Sequence, residues 1–161
     1  MVFILCFSRF NLQSFLKNRL GEAAKEDNLL TDMYTTPEEA KAYLDATGVD
    51  ALAVAIGSAH GVYKKKPMLN IERLKEISGA VSVPLVLHGG SGLSDDDFKN
   101  TIRNGIAKVN IFTDLCLAGE RAMKDGAEKK LGYLETRNLK VEYIKEAVKH
   151  KMSLFGSVNK A

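Results

Sequence analysis

The chain has 161 residues, enough for one domain with a buried core. Hydrophobic residues make up 45% and charged residues 27%, the balance of a soluble globular protein. A net charge of +3 on scattered lysines excludes the dense basic footprint of a nucleic-acid binder, and two cysteines, Cys6 and Cys116, are too few for a disulfide framework. That cysteine usage points to a reducing, cytoplasmic setting.

The chain opens on "MVFILCF", an apolar run too short to span a membrane and without a charged segment before it. It reads either as a signal or surface anchor, or as an ordinary first strand or helix or a segment foreign to the rest of the chain. The missing signal architecture favours the second, and no membrane contact is expected. From residue 30 the elements become legible. "TTPEEAKAYLDATG" is a helix marked at both ends: Thr36 as N-cap, Pro37 at the first helical position, Glu39 closing a capping box, and Gly48 as a left-handed stop. "DALAVAIG" (50–57) is a nearly continuous apolar run, as expected of a strand covered on both faces. "LNIERLKEIS" (69–78) has helical spacing, and "VPLVLHG" (83–89) is a second buried strand. "LSDDDFKNTIRNG" is a helix capped by Ser94 with three aspartates over its positive end, and "AKVNIFT" (107–113) is a third strand. The remainder is expected to be helical, with breaks near Gly126 and Gly132.

This alternation implies parallel βα units, with about the 30 residues per unit of an eight-unit barrel. A polar cluster follows each strand directly, which places all three clusters at strand C-termini. That end carries the chemistry in a barrel and in an open doubly wound sheet alike, so this step does not separate the two folds.

His60 in "AIGSAHG" and His88 in "LVLHGGSG" stand at equivalent ends of successive strands, each followed by glycine. A lone histidine is an ordinary surface or core residue, but this pairing points to a metal. Imidazole suits zinc, and a catalytic zinc takes three protein ligands and keeps one position open. His150 lies in the polar C-terminal helix and is expected to face solvent. Gly89, Gly90 and Gly92 allow backbone N–H groups to approach an anion, and Ser91 adds a hydroxyl. The helix starting at Ser94 directs its dipole toward the same mouth. One strand later, "NIFT" offers the Asn110 side chain and the Thr113 hydroxyl. The plainer reading is a tight turn followed by a strand-end cap; loop, capped helix and neighbouring NxxT together favour a phosphate site.

The three motifs "AIGSAHG", "LVLHGGSG" and "KVNIFTDL" together resemble the second half of class II ketose-bisphosphate aldolases, from about residue 26 through residue 117 and less clearly beyond. The resemblance implies an α/β fold of TIM-barrel type, with this chain holding the last three strands and the C-terminal helices as a partial barrel. It makes residues 1–25 an atypical N-terminal segment and residues 26–161 the C-terminal part of the barrel. It makes His60 and His88 two of three zinc ligands. It places the phosphate of dihydroxyacetone phosphate on Gly61, Gly89, Gly90, Ser91, Asn110, Ile111, Phe112 and Thr113, with the backbone making the contact at Phe112. The implied reaction is reversible cleavage of fructose or tagatose 1,6-bisphosphate to dihydroxyacetone phosphate and glyceraldehyde 3-phosphate. The implied chemistry is Lewis-acid catalysis by zinc, with a carboxylate moving protons to and from the aldehyde.

The sequence also departs from the family. The third zinc histidine and the proton-transferring aspartate belong to an HLDH-like motif that this sequence lacks. A glutamate-bearing strand that should precede the acidic loop is replaced by "SFLKNRLGEAAKED", where Glu22 aligns too loosely to take the role. Three readings follow: an enzyme half completed by a second copy or another chain, a non-catalytic aldolase remnant, or a stabilising subunit. Open strand edges and a lysine-rich C-terminal helix favour self-association or a complementing chain as partner, beside the phosphorylated sugar.

Overall fold

A computed structural model describes residues 34–58 and 67–160. Three short parallel strands form its sheet: β1 (Leu52–Ala53), β2 (Leu85–Leu87) and β3 (Ile106–Val109), side by side in that order. Their backbone bonds run further than the strand bounds. Leu52 N–H donates to Pro84 O, Val54 N–H to Val86 O, and Asn110 N–H to Leu87 O. Along "VPLVLHG" both faces are covered as expected, whereas along "DALAVAIG" buried Leu52, Val54 and Ile56 alternate with half-buried Ala53 and Ala55. Leu85, Val86 and Leu87 are all buried.

Helix α1 (Pro37–Thr47) precedes β1, α2 (Ile71–Ala80) links β1 to β2, and α3 (Asp95–Arg103) links β2 to β3. Each begins as local chemistry dictates. Thr36 Oγ1 accepts the Glu39 N–H while the Glu39 carboxylate accepts the Thr36 N–H, so two otherwise orphaned donors are satisfied. Gly48 ends α1 in the left-handed conformation. Asn70 caps α2 by accepting the Arg73 N–H, a signal that lay unread in the sequence. Ser94 and Asp97 close a second capping box at α3.

Between sheet and helices lies one core of Leu52, Val54, Ile56, Leu74, Ile77, Leu85, Leu87, Phe98 and Ile106. Phe98 is fully buried and meets Phe155 edge to face at 5.1 Å, which joins the C-terminal helix to that core.

The C-terminal third is a helical hairpin, α4 (Thr113–Glu128) and α5 (Tyr133–Leu154). The helix runs through Gly126 and turns only at Lys129–Gly132, so the expected break at Gly126 does not occur. Gly126 has a packing reason instead: a Cβ there would stand 2.9 Å from the Thr136 side chain of α5. The Tyr143 hydroxyl donates to Asp125 across the hairpin. In 22 residues α5 has no fully buried side chain, and its apolar residues are shared between contacts with α4 and open surface.

The backbone N–H and the side-chain hydroxyl of Thr35 both belong to the sheet edge. Thr35 N–H donates to Ala55 O, and Ala55 N–H donates back to Thr35 Oγ1, both at 2.9 Å. Part of the outer edge of β1 is thereby closed by the segment that enters α1, where an open edge was expected. The readings made for residues 1–33, including Glu22 and the acidic loop, lie outside the described residues.

Two measurements check this packing. Phe98→Ala removes a fully buried ring and should cost about 3–5 kcal/mol of unfolding free energy in denaturant melts. The bond to Asp125 raises the pKa of the Tyr143 hydroxyl above its ordinary value. Its stabilising effect is therefore complete below the ordinary tyrosine pKa and lost as pH rises through the raised one. An ultraviolet titration of the wild type against Tyr143→Phe should show the late-ionising tyrosine missing from the variant.

Candidate phosphate and metal site

Because the strands are parallel, the C-terminal ends of β2 and β3 open on the same side, and two loops meet there. The first, "HGGSG" after β2, is bent by Gly89 and Gly92, whose φ angles of 65° and 86° lie where a side chain is strained. Gly90 serves a different need. A Cβ on it would stand 2.9 Å from Val109 Cγ1, 3.2 Å from the Phe98 ring and 3.3 Å from Asn110 O, so only hydrogen fits between loop, strand and core. Gly89, Gly90 and Ser91 are buried, whereas His88 is exposed on the mouth.

Ser91 joins the two loops. Its Oγ accepts the N–H groups of Phe112 and Asp114, each at 3.3 Å. Accepting twice leaves the hydroxyl proton to donate outward. Phe112 is the N-cap of α4 but supplies no side-chain cap, and its ring is 76% exposed. Asn110, Ile111 and Thr113 are half-buried around this turn. The α3 N-terminus is arranged differently. Its donors are met by the Ser94–Asp97 box, and three carboxylates crowd its first turn. At the start of α4 the N-cap residue itself supplies no cap, and Ser91 of the neighbouring loop accepts two of the N–H groups instead.

At the end of β3, Lys108 Nζ donates to Asn110 Oδ1 at 2.6 Å. An ammonium only donates, so the oxygen must face Lys108 and the Asn110 NH₂ must face the other way. That NH₂ lies 3.2 Å from both ring nitrogens of His88, and a neutral imidazole has one lone pair to receive it. On the opposite side Ser58 Oγ donates to His88 O at 2.7 Å, tying the end of β1 to the end of β2. Lys108 and Ser58 were not singled out in the sequence. Lys108 shares the inward side of β3 with Asn110, and that two-residue period was the available signal.

Asp114 belongs to the motif "KVNIFTDL", which assigns it no role. Its Oδ1 accepts the Gly92 N–H at 2.9 Å, and its Oδ2 meets Lys151 Nζ of α5 at 2.9 Å. His150 is exposed, as expected, but its ring also lies 3.3 Å from the Asp95 carboxylate.

His60 and Gly61 lie outside the described residues. Among the described residues no three His, Cys, Asp or Glu side chains converge, so these alone do not make a catalytic zinc centre. The described part of the site is a mouth between the loops that follow β2 and β3, with one imidazole at its rim.

Gly90→Ala should overpack the junction of loop, β3 and Phe98. Denaturant melts should show a loss of about 1–3 kcal/mol.

Known proteins resemble the chain in sequence and in fold. Residues 18–160 match the family described as fructose-bisphosphate aldolase class-II. The chain is 47% identical over 141 residues to the uncharacterized protein YdjI of Escherichia coli strain K12, covering 88% of this chain and 50% of that one. The crystal structure of the YdjI aldolase superposes with a TM-score of 0.73 at 48% identity, over 80% of this chain and 48% of the other. A putative fructose-1,6-biphosphate aldolase from Coccidioides immitis gives a TM-score of 0.72 at 33% identity, over 79% of this chain and 45% of the other. The chain thus spans about half the length of the relatives it matches. Among its described residues no helix is long and apolar enough to cross a membrane. With its parallel α/β architecture and its match over residues 18–160, the chain belongs to the class II fructose-bisphosphate aldolase family, whose fold is of the TIM-barrel type.

Proposed function

We propose that this chain carries the phosphate-binding half of a zinc-dependent aldolase site, acting on fructose or tagatose 1,6-bisphosphate and releasing dihydroxyacetone phosphate and glyceraldehyde 3-phosphate. The single observation that carries the reading is the Ser91 junction: a buried hydroxyl accepting two N–H groups at the start of α4, whose own N-cap residue supplies no cap. A hydroxyl so held has its proton aimed by its neighbours, which suits a phosphate oxygen. Backbone of Gly89 and Gly90 forms the floor and Asn110 through Thr113 the rim, and Gly61 is assigned to the same phosphate on its motif alone. These contacts grip the phosphate, remote from the reacting carbon, and so spend binding energy on orientation.

For the metal we assign His88 and His60 as two ligands, His88 on its place at the strand end and His60 on its matching motif. The third ligand and the proton-transferring carboxylate are supplied by a second copy or a complementing chain. Lys108, through Asn110, sets which side of the carboxamide faces the His88 ring. A cytoplasmic enzyme of carbohydrate metabolism accords with this assignment.

The test has two parts. Titration of the purified chain with inorganic phosphate and dihydroxyacetone phosphate should show saturable binding, weakened roughly tenfold in Ser91→Ala by loss of one hydrogen bond to a charged group. Cleavage assays of both bisphosphates should show no turnover by the chain alone. Turnover should appear when the N-terminal half of a class II relative is added with zinc, and a chelator should abolish it. Failure of the chain to bind either phosphate compound would sink the proposal. Binding without turnover in the completed assembly would favour the stabilising-subunit reading.

A further inference from the structure

The pair Lys151–Asp114 joins the last helix to the glycine loop from positions far apart in the chain. Asp114 is two-sided. One carboxylate oxygen holds the Gly92 N–H at 2.9 Å, the other holds Lys151 Nζ at 2.9 Å, and its own N–H goes to Ser91. The pair is shielded, with side chains only 15% exposed at Lys151 and 20% at Asp114, unlike the other lysine–carboxylate pairs of the described helices, which lie open to water. Lys151 is itself fixed by Phe98, whose ring centroid lies 4.5 Å from Nζ. The same ring limits the space at Gly90. One core side chain therefore seats both the lysine and the loop.

We propose that Lys151 and Asp114 are positioning residues for the phosphate site: the ammonium of α5 keeps the Asp114 carboxylate turned onto Gly92, and this holds the glycine loop closed against the start of α4. The inference rests on the phosphate reading above and adds to it a residue from the last helix. Without Lys151, Asp114 has another direction to turn, because it also lines an open cavity shared with Arg121 and His150. A carboxylate drawn there releases the Gly92 N–H, and Ser91 loses the backbone it is braced against.

The experiment compares the full chain with Lys151→Met, Asp114→Asn, Lys151→Arg and the charge-matched control Lys149→Met. Lys149 pairs only with exposed Glu146 on the same helix. Hydrogen exchange of the Gly92 amide is the first readout. It should be slow in the wild type, roughly tenfold faster in Lys151→Met and Asp114→Asn, and restored toward wild type in Lys151→Arg, with the control unchanged. Inorganic phosphate affinity is the second readout. Both Lys151→Met and Asp114→Asn should weaken it about fivefold, as expected for loss of one hydrogen bond's worth of order. Bulk Coulomb attraction predicts opposite signs for the two, since one removes a positive charge and the other a negative one. A Gly92 amide that exchanges freely in the wild type, or that ignores Lys151→Met, overturns the inference, as do opposite shifts in phosphate affinity. A wild type that binds no phosphate while Gly92 still responds removes the phosphate reading and leaves the clamp standing.

Discussion

The site depends on a hydroxyl that faces two ways. Ser91 stands at the tip of a loop whose course is set by β2, and it accepts N–H groups from a turn whose course is set by β3. Parallel strands bring their C-terminal ends to one side, but they do not by themselves lock the loops that follow. Ser91 supplies that lock, and the steric limit at Gly90 makes it possible. With hydrogen at Gly90, the loop lies against Val109 and the Phe98 ring, close enough for Ser91 to reach the start of α4. Any larger side chain there moves the hydroxyl away from its partners.

Around this junction the chain distributes charge with a consistent logic. The first turn of α3 holds Asp95, Asp96 and Asp97, which satisfy and neutralise that helix end. The N-cap residue of α4 supplies no side-chain cap; Ser91 accepts two N–H groups there, and Asp114 in the first turn is paired with Lys151. Two helix N-termini thus flank one mouth, one closed by its own capping box and the other by a hydroxyl from the neighbouring loop. At the end of β3, Lys108 sets the Asn110 carboxamide, and that amide faces His88. An ammonium, an amide and an imidazole in series thus link one end of β3 to the end of β2.

The relation to the longer relatives has a physical side. A sheet of three strands from a barrel family has two edges, and Thr35 takes up part of the one at β1. The core of the described residues is nonetheless coherent, running from Ala40 through the sheet to Phe155, and it leaves no buried side-chain polar atom without a partner among them. Leu134 and Val141 of α5 remain open at 65% and 54% exposure, which is the opposite of what the interior of a bundle requires.

What the sequence by itself determined is everything set within a few residues of backbone. The capping box at Thr36–Glu39, the cap at Ser94, the stop at Gly48, the buried run of β2 and the positions of His88, Ser91 and Asn110 at strand ends all follow from local rules, and the motifs carried the family. What only the tertiary structure decided are the relations between segments distant in sequence. Gly126 was expected to break a helix because local propensity disfavours glycine there; its proximity to Thr136 on the next helix was invisible. Asp114 stands in the motif "KVNIFTDL", but nothing in the motif says what its carboxylate holds, and Lys151 is one of many lysines in the C-terminal helix. Their pairing exists only once the hairpin folds back across Phe98 and brings α5 to the loop. Local chemistry is written in neighbouring residues, whereas the direction in which a helix returns depends on how two surfaces fill space against a common core.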